Sequence, residues 1–151
     1  MTDYPQAMSA IKAQFYTAWV AGSAAIAGYV PEIRWADNEL APLPDGSKIW
    51  CRHSVQSVFE EQTNVSVCDP ALGKRRYTNT GLVFVQIFIP KTLANGDSLA
   101  NQLAVLARNC YRGKVATGEV WFRNARINNI PPEDLYYRRN AVSEYEFDEI
   151  A

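Results

Sequence analysis

Two periods organise the apolar and polar positions along this chain. Between Asp3 and Gly28, Met8, Ile11, Phe15 and Ala18 recur at helical spacing while Gln6, Ser9, Lys12 and Thr17 stay polar, which predicts an amphipathic helix. Asp3 can cap its start, Gln6 follows three residues later as in a capping box, and Pro5 is tolerable in the first turn. Gly22 and Gly28 weaken the pattern, so the helix should fray or end between them. Its apolar stripe needs a sheet to cover. Pro31 then opens a short extended piece, Glu32 to Trp35, suited to an edge strand. Residues 36–47 read as a loop, with Pro42, Pro44 and the Asp45-Gly46 turn signal. From Lys48 to about Glu61 the period drops to two. Ile49, Cys51 and Val55 fall on one side, and Lys48, Arg52 and Gln56 on the other, as in a half-buried strand.

The stretch from Gln62 to Thr80 holds Pro70, Gly73 and few core candidates, and reads as a long hairpin connection of the kind that tends to be functional. Leu82 to Ile89 is nearly all apolar and closed by Pro90. Such a run predicts a central strand covered on both faces. Asn95-Gly96-Asp97 predicts a turn and a cap, after which Leu99, Leu103, Leu106 and Cys110 repeat at helical spacing up to Gly113. Two further strands, Gly118 to about Ile127 and Leu135 to about Glu149, are joined by Asn128 to Asp134 with its Pro131-Pro132 pair. The predicted order is α-β-β-β-α-β-β: an α+β domain spanning 1–151, with a mainly antiparallel sheet and two helices packed on it.

Composition narrows the classes. The 151 residues are 48% apolar and 21% charged, an ordinary globular mixture long enough for one domain. A net charge of −1 carries no overall signature of nucleic-acid binding. Charge is segregated, however. Lys74, Arg75 and Arg76 form one basic cluster, Arg138 and Arg139 another, and Glu144, Glu146, Asp148 and Glu149 make the C-terminus acidic. Taken singly, each cluster is what a solvated surface also shows. Arg75, Arg76 and Tyr77 place an aromatic beside cations, as strand-binding surfaces do, but an acidic protein partner explains the same residues. Three widely spaced cysteines, Cys51, Cys68 and Cys110, with one histidine offer almost no ligands for zinc, and reduced buried thiols are expected. The apolar stretch from Trp19 to Val30 is too short and too rich in Ala and Gly for a membrane span or a signal peptide, which points to synthesis and assembly in a cytoplasm.

The chemistry on offer is thin. His53 lies on the strand side of Ile49, Cys51 and Val55, which favours a packed or interfacial imidazole over a catalytic one. Cys51 shares that face, but nothing resembling a sharp turn or a helix N-terminus activates its thiol. Glu60 and Glu61 are adjacent and must point to opposite faces of a strand. Glu144, Glu146 and Asp148 do share one face and could bind a cation, although a solvated or partner-facing strand accounts for them without one. No phosphate loop, dinucleotide fingerprint, nucleophile elbow or zincin motif occurs. No enzyme and no cofactor are expected.

Several segments taken together carry a resemblance. They are the N-terminal helix, Ile33-Arg34-Trp35-Ala36-Asp37-Asn38 before a Pro-containing loop, and the strand around Ile49 to Val58. Arg76-Tyr77 then precedes the Gly81-to-Pro90 run, and a Gly96-containing turn leads into Leu99 to Arg112 and Gly113. In this combination the chain resembles the tail-terminator-like proteins of long-tailed bacteriophages, including a small family long known only as a phage domain of unknown function. The resemblance implies a virion protein, a subunit of a hexameric ring. That ring caps the assembled tail tube, halts its polymerisation and offers a surface to the head–tail connector, with DNA passing only through its lumen. It supplies no catalytic motif. A ring needs contacts between unlike surfaces. The loop of Lys74, Arg75 and Arg76 is therefore expected to reach a neighbouring protein, either the next subunit's acidic strand with Glu144, Glu146 and Asp148 or the tail tube, with Arg138 and Arg139 as further interface residues. Another neck component, such as a head-completion or connector protein, stays open as an alternative, as does a small metal-dependent nuclease.

Overall fold

The computed structural model describes residues 2–36, 42, 44–63, 75–132 and 135–150. Its elements in chain order are α1 (Tyr4–Ala27), β1 (Glu32–Trp35), β2 (Trp50–Gln62), β3 (Arg76–Pro90), α2 (Gly96–Asn109), β4 (Val115–Ala116), β5 (Val120–Ile130) and β6 (Tyr136–Ile150). The class is α+β. Six strands form one sheet in the order β1-β2-β3-β6-β5-β4. Two details depart from the sequence reading. The sheet is mixed, because β1 runs parallel to β2 while the other pairs are antiparallel. A parallel neighbour needs a crossover of about a dozen residues, and the segment between Trp35 and Trp50 is long enough to supply it. The other departure is β4, a two-residue strand too short to leave a periodic signal.

The start of α1 is the predicted capping box: Asp3 Oδ1 accepts from the Gln6 backbone N–H at 2.9 Å, and the Gln6 side chain accepts from the Asp3 N–H at 3.1 Å. The helix ends where Gly28 takes a left-handed φ of 83° and its N–H bonds the Ala24 carbonyl. It runs through Gly22 unbroken, because Leu106 of α2 packs there so tightly that a Cβ would sit 2.7 Å from Leu106 Cδ1. Its buried row is Ala7, Ile11, Phe15, Trp19 and Ser23, one strict four-residue repeat, with the predicted Met8 and Ala18 at its margin. The second helix lacks its predicted cap: Asn95 makes no side-chain capping bond, and Asp97 turns to Arg139 instead.

Both helices pack on one face of the sheet. Val83, Val85, Ile87 and Ile89 of β3 are fully buried there, beside Cys51 and His53 of β2 and Ala141, Tyr145 and Phe147 of β6. The other face of β3, with Leu82, Phe84 and Phe88, has no helix over it among the described residues and is only half-buried. Its apolar side chains are sheltered sideways by neighbours such as Trp50 and Val142. The expectation that both faces are covered is corrected accordingly. β3 also begins at Arg76, inside the stretch read as a loop, because Thr78, Asn79 and Thr80 pair on both sides with β2 and β6.

Candidate interaction surface

The uncovered face of the sheet presents an ordered grid of side chains. Strand register places residues of four strands in rows across it. At one end Trp50 stacks on Phe88 with centroids 4.1 Å apart at 7°, and Tyr136 meets both edge-on. The next row is polar, with Arg52, Gln86, Asn140 and Asn128. Beyond it come Ser54, Phe84, Val142 and Arg126, then Gln56, Leu82, Glu144 and Arg123. Phe59, Thr80, Glu146 and Trp121 form the row after that, and Glu61, Thr78 and Asp148 follow. Apolar groups remain exposed here: Phe59 is 58% accessible and Trp121 53%.

The predicted acidic row is real, since Glu144, Glu146 and Asp148 project from alternate positions of β6 onto this one face. Its partners lie within the chain. Arg76 pairs with Asp148, Thr78 Oγ1 donates to the same carboxylate at 2.6 Å, Arg123 reaches Glu146 at 3.0 Å, and Asn124 Nδ2 donates to Glu144. Burial pushes the Asp148 carboxyl up, but the hydrogen bonds from Arg76 and Thr78 and the Arg76 charge outweigh it and hold the group below its ordinary 3.8. These contacts tie β3, β6 and β5 together across the face within one subunit. Lys74 lies outside the described residues, and Arg75 is half-buried just ahead of β3.

Arg138 and Arg139 do not make one patch. As consecutive strand residues they point to opposite faces. Arg138 is on the open face and donates to the Pro131 carbonyl at 3.3 Å. Arg139 points to the helix side, where Nη2 bonds Asp97 at 2.6 Å and Nε bonds Asn101 at 3.2 Å. Arg139 thus anchors α2 to β6.

The other candidates are interior. Cys51 is fully buried, and burial first, then the nearby Cys110 and Glu32, pushes its thiol well above 9.0; burial lifts Cys110 to about 12. Thiols so held stay protonated, inert as nucleophiles. His53 is 1% exposed, its ring 5.0 Å from Phe15 and 5.1 Å from Trp35. The Tyr111 hydroxyl donates to the Ile11 carbonyl at 3.2 Å and lies 2.8 Å from His53 Nε2, so Nε2–H is the donor to that oxygen. This links β2, α1 and the end of α2 through one buried node. Glu60 and Glu61 take opposite faces as expected, level with Asn79 and Thr78. Cys68 lies outside the described residues.

No protein-family model and no curated protein matches the chain. Solved structures do. One of them, whose label names no function, is 16% identical over 92% of this chain and 94% of its own, with a TM-score of 0.61. It shares the fold. No helix among the described residues is long and apolar enough to cross a membrane.

Sequence reasoning missed Trp121, Arg123 and Arg126 as members of this surface. Trp121 and Arg123 alternate visibly, but a bulge between Arg123 and Arg126, where Asn124 takes a φ of 52°, shifts the register and hides the continuation.

Proposed function

We propose that this chain is a ring-forming structural subunit of a long-tailed phage virion, of the tail-terminator type. The ring caps the tail tube, stops its polymerisation and offers the head–tail connector a docking surface, with DNA passing through the lumen. The observation that carries the reading on the structural side is the one-sided sheet. A face four strands wide, with charged and apolar rows in register, is left open by both helices while the interior residues that could do chemistry are sealed. Surfaces of this kind suit assembly, where apolar groups give affinity and charges give orientation. The sequence resemblance supplies the biological setting.

The test is electron microscopy of the purified protein, alone and mixed with tail tubes. Closed rings that seat on tube ends support the proposal. Rings that ignore tubes and bind portal-side proteins move the chain to another neck component. Metal-dependent nuclease activity lost in Glu146→Ala would move it to the enzymes, although Glu146 is already engaged by Arg123.

A further inference from the structure

Both outer edges of the sheet are open over matching lengths. β1 pairs with β2 only from Trp50 to His53, so from Ser54 to Glu61 no strand lies outside β2 among the described residues. At the opposite edge β4 covers only Val120 and Trp121, leaving β5 uncovered from Arg123 to Ile130. Bare edges recruit further strands, and proteins ordinarily blunt them with charge. Here the two edges carry opposite signs. β2 presents Glu60 and Glu61, and β5 presents Arg123 and Arg126, all exposed. Each edge also has apolar surface, with Val58 61% and Phe59 58% accessible on one and Trp121 53% on the other. Pairing β2 with a copy of itself gives Glu60 and Glu61 no base, and pairing β5 with itself gives Arg123 and Arg126 no acid; pairing β2 with β5 sets acid against base.

Direction and register agree with that choice. Three successive antiparallel pairings separate β2 from β5, so the two strands run in opposite directions. A neighbour in the same orientation therefore presents β5 antiparallel to β2. Within one subunit Ser54 is level with Arg126 and Gln56 with Arg123. A stagger of about four residues, even so that every side chain keeps its face, sets Ser54 opposite Ile130, Phe59 opposite Arg126 and Glu61 opposite Arg123. The uncovered stretches then coincide from end to end, and closed sheets require such a stagger.

We propose that copies of this chain join head to tail by antiparallel pairing of Ser54–Glu61 with Arg123–Ile130 of the next copy, so that one sheet runs continuously around the ring. This contact is heterologous, as a cyclic ring demands. It deepens the ring reading above and rests on it for the existence of a ring.

Disulfide trapping tests the pairing in the full chain. Glu61→Cys and Arg123→Cys are introduced together in a Cys68→Ser background, with Phe59→Cys and Arg126→Cys as a second pair. Inside one subunit each pair is separated by three strand spacings and a four-residue offset along the strands, roughly 20 Å, beyond the about 7 Å that a disulfide can bridge between Cα atoms. Mild oxidation is expected to give a covalent ladder on non-reducing gels that stops at the ring number. Either single-cysteine protein alone gives no ladder, and a mixture of the two singles stops at dimers. Rings visible by microscopy with no ladder from either pair overturn the edge pairing and leave the ring reading standing. Absence of rings from the parent protein, alone and on tubes, removes both.

Discussion

Removing a single oxygen atom at Tyr111 separates a structural role for His53 from a chemical one. The Tyr111 hydroxyl is the acceptor for His53 Nε2–H at 2.8 Å, in a place where the imidazole is 1% exposed. In Tyr111→Phe that N–H loses its acceptor and water cannot easily replace it. A buried donor left unsatisfied costs about 1–3 kcal/mol. The Ile11 carbonyl, which also loses the hydroxyl, lies inside α1 and keeps its place in the helical ladder, so the loss falls mainly on the imidazole. At about 2 kcal/mol and about 2–4 °C per kcal/mol for a chain of this size, the melting temperature should drop by roughly 4–8 °C. Ring formation below the melting range should be unchanged. Thermal unfolding followed by circular dichroism, with microscopy of the same sample, measures both. A variant as stable as the parent that no longer assembles would refute the reasoning and return His53 and Tyr111 to the functional site.

Other expectations follow from the same geometry. Val85→Asp should abolish folding, because a fully buried position opposite His53 and Ala141 offers a carboxylate no partner; a folded, assembling variant by size-exclusion chromatography would contradict the central place of β3. Gly81→Ala should cost about 1–3 kcal/mol in urea unfolding, since its Cβ would meet the Gln56 carbonyl oxygen at 2.2 Å and the Tyr145 hydroxyl at 2.5 Å. An unchanged midpoint would show that β2 can yield there. Asp148 has its folded pKa below the ordinary 3.8, so its contribution is fully present above that value and is lost as pH falls through the folded pKa. The stability gap between the parent and Asp148→Asn should therefore be constant near neutrality and close below pH 3.8, and a gap that persists in acid would exclude the Arg76 pair as its source.

Local signals in the sequence were enough for the elements that carry their own chemistry. Asp3 with Gln6, Gly28, the Glu32–Trp35 piece and the apolar run before Pro90 each mark structure through a neighbour or two. What depends on distant partners was hidden. Thr78, Asn79 and Thr80 read as loop because no apolar residue among them marks a period, yet two flanking strands make them a ladder. The pairing of Arg76 with Asp148 spans 72 residues and follows only from register. Two adjacent arginines at 138 and 139 looked like one basic patch, whereas the strand pleat sends them to opposite faces. Leu82 to Ile89 is apolar on both sides although only one side meets helices, because the other is sheltered by the sheet's own aromatic side chains.

The most direct test of the account is the symmetry of the particle this chain forms, read from class averages of the purified protein and of tails carrying it. Closed rings of one fixed subunit number, seated on the tube end and missing from tubes that are still growing, are the predicted result. A protein that stays monomeric at all concentrations and leaves tube length unregulated when added to polymerising tube subunits would contradict it.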